Sequence, residues 1–189
     1  MKDFKEVIIL MLIALSAGIC LSVVYTATKD RIEEVKRQQR REAFQEVLPF
    51  INQLPDDMHI TFEDKQNRVS VYAIDRDGDL LGAALEISTK AGYGGDMTFL
   101  VGVDPSGKVK GFSLLEQKET PGLGTKAEKK KFWGQFLDKT TETFDFKVQK
   151  DGGDVMAITA ATITSRAVSE GVERGLLTYK NYLNQRGDQ

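Results

Sequence analysis

The chain has 189 residues, of which 41% are hydrophobic and 29% charged, and its net charge is -2 at pH 7. This length predicts one globular domain beside any membrane segment. The near-neutral charge provides no basic field for binding nucleic acid. The single cysteine, Cys20, excludes an intramolecular disulfide framework. The single histidine, His59, argues against a histidine-based metal site or catalytic triad, and its polar surroundings predict a surface position.

The N-terminal segment is apolar, and no charged residue lies between Val7 and Ala27. A helix of that length spans the hydrocarbon core of a bilayer, at about 1.5 Å per residue. The alternative is a cleaved signal peptide. Apolar residues continue past the small residues 16–18 as far as Val24, which favours an uncleaved anchor. A lipoprotein signal ending at Cys20 is disfavoured, because the bulky Ile19 stands where a small residue is needed.

The charges that flank this span do not settle its orientation. More basic residues follow the span than precede it, and the positive-inside rule counted in this way places the domain in the cytoplasm. Long domains, however, translocate largely regardless of charge, and acidic residues alternate with these basic ones.

The segment after the span favours a helix from Asp30 to Leu48 that ends before Pro49. We expect a solvated juxtamembrane helix that docks on the following domain. Residues 51–68 are polar and are predicted to form a connector with little regular structure.

Two hairpins are predicted next. Asp77-Gly78 is a strong signal for the first turn, and Asp104-Pro105-Ser106-Gly107 forms the second. The predicted strands are 69–75 with 80–87, then 98–103 with 109–115. Between the hairpins, residues 91–96 contain too much glycine for a strand and are expected to bend.

The rest of the chain predicts helices and short strands. These are an amphipathic helix over 126–139, strands at 144–148 and 155–158, and a long C-terminal helix over 167–183. The expected fold class is α+β, an antiparallel sheet with flanking helices. Residues 1–28 are predicted to form the transmembrane anchor, 29–68 the juxtamembrane helix and connector, and 69–189 the folded domain.

A cluster of hydroxyl side chains precedes the last helix, in the sequence Thr159-Ala160-Ala161-Thr162-Ile163-Thr164-Ser165. The first N–H groups of a helix and the positive end of its dipole both favour an anion such as phosphate. Composition alone favours a simpler role, because Ser and Thr at a helix start usually cap it. Both interpretations stay open at this point.

A second candidate segment is Glu119-Thr120-Pro121-Gly122-Leu123-Gly124, and a third is Tyr93-Gly94-Gly95-Asp96. A Pro-Gly pair favours a turn whatever the function. Taken together and in this order, the three segments resemble the FMN-binding domain family, and within it the G subunits of Rnf electron-transport complexes. The resemblance covers about residues 70–180, and the N-terminal layout agrees.

The resemblance implies how FMN would be held. In that family a transferase attaches FMN through its phosphate to the last threonine of a Ser/Thr-Gly-Ala-Thr motif, and the matching residue here would be Thr162. The other residues of that motif and its flanks are Thr159, Ala160, Ala161, Ile163 and Thr164. The loop residues Glu119, Thr120, Leu123 and Gly124 would frame the flavin ring, with Glu119 either bonding the flavin or anchoring the loop. Tyr93 and Gly94 would complete the slot.

Two positions depart from the family pattern. The family usually has Asp six residues before the linked threonine, where this chain has Met156, with Asp154 two residues earlier. It usually has Gly where Ala160 stands. A slight shift of register would let Asp154 serve instead.

The resemblance also implies a function and a location. The chain would be a single-pass protein of the cytoplasmic membrane with its flavin domain on the extracytoplasmic side. It would relay electrons through covalent FMN in an ion-translocating ferredoxin:NAD oxidoreductase, beside the other Rnf subunits. The alternatives are the C subunit of the Na⁺-translocating NADH:quinone oxidoreductase, which is typically longer, and a membrane-anchored scaffold that has lost its flavin.

Overall fold

A computed structural model describes residues 2–49, 60–63, 67–76 and 79–187. The chain divides into two compact units, Met1–Arg40 and Arg41–Gln189. The predicted surface position of His59 and the Asp77-Gly78 turn lie outside the described residues.

The described elements are these: helix α1 Lys2–Val47, strands β1 Ile60–Glu63, β2 Asn67–Arg76, β3 Asp79–Thr89, β4 Met97–Val103 and β5 Val109–Glu116, helix α2 Lys130–Trp133, and helix α3 Thr162–Gly187. Short 3₁₀ turns lie at Gly124–Glu128, Gly134–Phe136 and Gln149–Asp151.

Helix α1 contains the apolar segment. Its most apolar window has a mean hydropathy of 2.9, and none of that window is buried against the protein. Among the described helices it alone is long and apolar enough to cross a membrane. The helix predicted over residues 30–48 is the C-terminal part of this same helix.

The second unit is built on a five-stranded antiparallel sheet in the order β1-β2-β3-β4-β5. Both predicted hairpins are confirmed, because β2 pairs with β3 and β4 pairs with β5. The α+β class is confirmed as well. The connector predicted at 51–68 is wrong in part, since it contains β1 and the first two residues of β2, and β1 pairs with residues 68–71 of β2.

Alternate side chains of the sheet enter two different cores. On one face, residues such as Leu85, Ile87 and Phe99 pack with Val168 and Val172 of α3. On the other face, Ala84 and Leu100 pack against the end of α1, through the side chains of Ala43, Phe44, Val47 and Leu48. The predicted docking of this helix end on the domain is therefore confirmed.

Two glycines in the sheet, Gly102 and Gly111, let the end of α1 approach it closely. Gly102 and Gly111 face each other in the β4–β5 ladder. A Cβ atom at Gly102 would lie 2.2 Å from the Val47 carbonyl oxygen, and one at Gly111 would lie 2.6 Å from the Val47 Cα. No real side chain fits in that space, so the two glycines set the distance between the helix end and the sheet.

The single helix predicted over 126–139 is wrong. Lys129 is extended (φ -77, ψ 133), and so is Leu137 (φ -57, ψ 134), so the segment folds as two 3₁₀ turns around the four-residue α2. Its buried side chains are Ala127, Phe132 and Phe136. Ala127 and Phe132 are five residues apart, whereas residues on one face of an α-helix are three or four apart. Short turns let both side chains reach the core.

The strands predicted at 144–148 and 155–158 are also wrong. Between them the described chain has only an isolated bridge, Val148 with Val155. A few backbone hydrogen bonds join the two segments, such as that from the Val155 N–H to the Lys147 carbonyl (3.0 Å), and side chains add others. The Asp145 N–H donates to the Asp154 carboxylate (3.0 Å), and Gln135 bonds the backbone of Met156. The long C-terminal helix is confirmed as α3.

Candidate functional site

The three candidate segments meet at the carboxylate of Glu119. This side chain is buried, with 6% of its surface exposed. One oxygen accepts a hydrogen bond from the Thr164 hydroxyl (2.5 Å), and the other accepts one from the Gly94 N–H (3.0 Å). Glu119 therefore ties the loop after β5 to the loop before β4 and to the first turn of α3. Its burial and these two hydrogen bonds are those of a side chain that anchors the loop.

Glycines surround this carboxylate. A Cβ atom at Gly92 would lie 2.7 Å from one Glu119 oxygen, and a Cβ atom at Gly124 would lie 2.4 Å from the other. A Cβ atom at Gly94 would lie 1.9 Å from the Lys118 carbonyl oxygen. Side chains at these positions would displace Glu119 or its loop, which explains why both loops contain so much glycine.

The start of α3 is not capped by the hydroxyl groups in its sequence. The Ala161 carbonyl accepts the first helical hydrogen bond, from the Ser165 N–H (3.0 Å), which puts alanine at the N-cap position. The Ser165 hydroxyl donates to that same carbonyl and accepts from the Ile158 N–H, both at 2.9 Å. The Thr164 hydroxyl donates to Glu119. The capping interpretation is therefore wrong for Thr164 and Ser165.

Three donors are left open as a result. Within the described part of the chain, the backbone N–H groups of Thr162, Ile163 and Thr164 have no hydrogen-bond acceptor. The Thr162 side chain is half-buried, and its hydroxyl bonds to no described residue. Unpaired N–H groups and the helix dipole together favour an anion at this end of α3.

The backbone before Thr162 has a left-handed residue where the family resemblance expects glycine. Ala160 has φ 62, a conformation that costs a non-glycine residue about 1–2 kcal/mol. Thr159 and Ala160 are both exposed. The substitution of alanine for glycine therefore keeps the shape of this turn, at a cost in strain.

Apolar side chains stand exposed beside the same junction. Tyr93 is 70% exposed, Leu123 38% and Ile163 46%. Each is the sequence neighbour of a residue that contacts Glu119, namely Gly94, Gly124 and Thr164. Exposed apolar surface next to an open anion site suits a ligand that has a flat ring and a phosphate. The residues present therefore fit FMN.

The chain is similar to known families and proteins over most of its length. A family model described as the FMN-binding domain matches residues 92–177, and one described as the RnfG N-terminal region matches residues 4–47. The chain is 33% identical to the G subunit of the ion-translocating oxidoreductase complex from Aliivibrio fischeri (strain ATCC 700601 / ES114), over 94% of this chain and 90% of that protein. The chain belongs to the RnfG family.

Other relatives carry related names. The G subunit of the ion-translocating oxidoreductase complex from Haemophilus influenzae (strain PittEE) is 36% identical, over 92% of this chain and 88% of that protein. The G subunit of the Na⁺-translocating ferredoxin:NAD⁺ oxidoreductase complex from Acetobacterium woodii is 30% identical, over 94% of this chain and 92% of that protein. The match to the FMN-binding domain contains all three segments that meet at Glu119.

Two contacts fix the segment that precedes Thr162, and sequence patterns in this RnfG-family chain did not predict them. The Gln135 side chain accepts from the Met156 N–H (2.8 Å) and donates to the Met156 carbonyl (3.2 Å), as a neighbouring strand would. Arg166 donates two hydrogen bonds to Asp151, at 2.7 and 3.0 Å. The Arg166 guanidinium lowers the pKa of the Asp151 carboxyl below its usual value. The one sequence signal for either contact is the spacing of Arg166, which stands four residues after Thr162 and therefore lies on the same face of α3.

Met156, which departs from the family pattern, and Asp154, which a shift of register would put in its place, lie in different surroundings. Met156 is 66% exposed. The Asp154 carboxylate accepts a hydrogen bond from the Asp145 N–H, and the Asp154 N–H donates to the Asp145 carbonyl (3.0 Å). Asp154 is therefore engaged in closing the 145–154 loop.

The three remaining loop residues, Thr120 to Gly122, lie at the surface. Thr120 is exposed, and its carbonyl accepts from the Leu123 N–H (3.1 Å) in the turn that Pro121 and Gly122 begin. Gly122 has φ 76, the left-handed conformation that glycine adopts without cost. The Gly122 N–H donates to the Thr125 hydroxyl (2.9 Å), which fixes the turn from its other side.

Proposed function

We propose that this chain is the membrane-anchored flavoprotein subunit of an ion-translocating ferredoxin:NAD oxidoreductase complex. FMN is attached through its phosphate to Thr162, and the subunit relays electrons between neighbouring redox subunits. The observation that carries the proposal is the Glu119 junction. It sets the open N–H groups of α3 and the free Thr162 hydroxyl beside exposed apolar side chains.

The protein's own residues bind and orient the cofactor in this proposal. The N–H groups of Thr162, Ile163 and Thr164 hydrogen-bond phosphate oxygens at the positive end of the helix dipole. Leu123 and Tyr93 cover apolar ring surface, and Thr120 with the loop amides bonds the polar edge of the ring. FMN supplies reversible electron transfer in one- or two-electron steps.

Attachment requires a separate flavin transferase. A threonine hydroxyl is a weak nucleophile unless a base activates it. The only histidine and the only cysteine of the chain are at positions 59 and 20, outside the FMN-binding match at 92–177. Asp154, the nearest acidic residue on the N-terminal side of Thr162, is held by Asp145.

The relay role follows from what the sequence lacks. It has one cysteine, too few to ligate an iron–sulfur cluster, and no glycine-rich nicotinamide fingerprint. Hydride transfer and ion passage therefore belong to other subunits. The apolar part of α1 is the single-pass anchor, and the flavin domain is extracytoplasmic. A phosphoester there prevents loss of the cofactor by dilution.

The test is the intact mass of the protein purified from its native membrane, compared with that of Thr162→Ala. We expect a gain equal to FMN less one water in the wild type and no gain in the variant. Thr141→Ala is the control, because it removes a threonine hydroxyl from the same domain outside the motif and its flanks, and it should keep the flavin. An unmodified wild-type mass without flavin absorbance would leave the flavin-free scaffold as the better account.

A further inference from the structure

A pocket of about 370 Å³ opens on the surface beside the threonine-rich turn. We call it the lysine pocket, and it is lined by Lys126, Lys129, Lys131, Phe132, Met156, Ala157, Ile158 and Thr159. It is separate from the Glu119 junction, and nothing in the proposed cofactor site uses its lysines.

The charge of this pocket is not balanced by the protein. Within the described residues, the ammonium groups of Lys126, Lys129 and Lys131 have no carboxylate partner. Other lysines of the domain do have one; Lys110 lies 2.6 Å from Asp138, for example. The six residues 126–131 contain four lysines and one glutamate in a chain whose net charge is -2. Clustered, unpaired cations of this kind attract an acidic surface and orient its approach.

The floor of the pocket is apolar and recessed. Phe132 is 5% exposed and Ile158 is 8% exposed, while Met156 stands 66% exposed at the rim. An apolar centre inside a charged rim is the anatomy of a protein interface. A lipid-binding surface would instead present protruding aromatic and aliphatic side chains. The shape therefore favours a protein that inserts one apolar side chain between acidic ones.

The pocket also adjoins the proposed flavin attachment site. Thr159 lines it and stands three residues before Thr162, so their Cα atoms are within about 11 Å of each other. A protein seated in the pocket would therefore stand beside the cofactor of the proposed relay.

We propose that the lysine pocket is the docking surface for an acidic face of a neighbouring subunit of the complex. This inference rests on the proposed function, because it takes the partner from the same assembly. The pocket lysines provide the charge complementarity, and the Phe132–Ile158 floor takes an apolar side chain of the partner.

The test is co-purification from native membranes through a C-terminal tag, with the other subunits quantified by mass spectrometry. The triple variant Lys126→Glu, Lys129→Glu, Lys131→Glu should lower the yield of at least one redox subunit by roughly tenfold. The matched control carries the same charge change at three exposed lysines elsewhere on the domain: Lys108→Glu, Lys147→Glu, Lys150→Glu. Its yield should stay within about twofold of the wild type. Circular dichroism checks that both variants are folded.

A second measurement identifies what covers the pocket. Acetylation of Lys126, Lys129 and Lys131 should be slow in the intact complex and fast for the isolated chain in nanodiscs. Equal co-purification of the two triple variants would overturn the docking surface. So would protection of these lysines in phosphatidylglycerol nanodiscs without other subunits, which would assign the pocket to lipid.

The flavin content of each preparation separates the two proposals. A wild-type chain that co-purifies with redox subunits but carries no flavin would refute the proposed cofactor and leave the docking test valid. A wild-type chain that co-purifies with no redox subunit would overturn both. Normal flavin content in the lysine variant, together with loss of the partner, supports the docking surface.

Discussion

Removal of the Glu119 carboxylate should loosen all three segments of the site together. Two hydrogen bonds end on this charged acceptor, from Thr164 and Gly94. A hydrogen bond to a charged group contributes about 1.5–3 kcal/mol. The exposed Gly94 N–H can return to water after the change, but the Thr164 hydroxyl, 1% exposed, cannot. We therefore expect Glu119→Ala to lower the free energy of unfolding by about 3–4 kcal/mol.

The measurement is urea unfolding of the full chain in detergent, followed by the fluorescence of Trp133, the one tryptophan. Trp133 packs on Phe112 at a ring-centroid distance of 6.1 Å, so it reports on the domain core. Glu128→Ala, at an exposed position, is the control and should change stability by less than about 0.5 kcal/mol.

A double-mutant cycle with Thr164→Val isolates the buried hydrogen bond. We expect a coupling energy of about 1–2 kcal/mol between the two positions. Two results would refute the role of the Glu119 junction in stability. One is that the effects of Glu119→Ala and Thr164→Val on the free energy of unfolding are additive. The other is that Glu119→Ala lowers this free energy no more than Glu128→Ala does. Flavin content measured on the same variants shows whether attachment at Thr162 depends on this junction.

Three further predictions concern the backbone and pH. Ala160→Gly should stabilise the protein by about 0.5–1 kcal/mol in the same urea assay, because relief of left-handed strain exceeds the entropy cost of glycine; a loss of stability would contradict the strain. Gly102→Ala should lower the free energy of unfolding by about 1–3 kcal/mol, because its Cβ would meet the Val47 carbonyl oxygen. An unchanged stability would show that the end of α1 does not pack this closely on Gly102. Burial, and then the charge of Asp104, raise the pKa of Tyr179 above its ordinary value of 10.0. The neutral phenol therefore contributes stability that is present below pH 10 and lost as pH rises through the folded-state pKa. Above pH 10 the free energy of unfolding of Tyr179→Phe should rise relative to that of the wild type. Parallel pH profiles of the two proteins would exclude this linkage.

Local patterns in the sequence determined much of the fold. The uncharged run after Val7 predicts the membrane-length part of α1, since length and hydropathy alone decide whether a helix can span a bilayer. The second predicted turn, at 104–107, appears between β4 and β5, where the Asp104 carboxylate bonds the Ser106 and Lys108 N–H groups. The apolar spacing of 167–183 predicts α3. Each of these signals lies within the element that it predicts.

Tertiary contacts decided the rest. The periodicity over 126–139 predicts one helix, but packing of Ala127 and Phe132 into the core breaks it into short turns. The role of Glu119 rests on partners 25 and 45 residues away in sequence. No local pattern encodes such pairs, because a buried carboxylate and an exposed one have the same sequence signature. The sequence determined which segments would form the candidate site, and only the folded chain determined that one carboxylate joins them and leaves the start of α3 open.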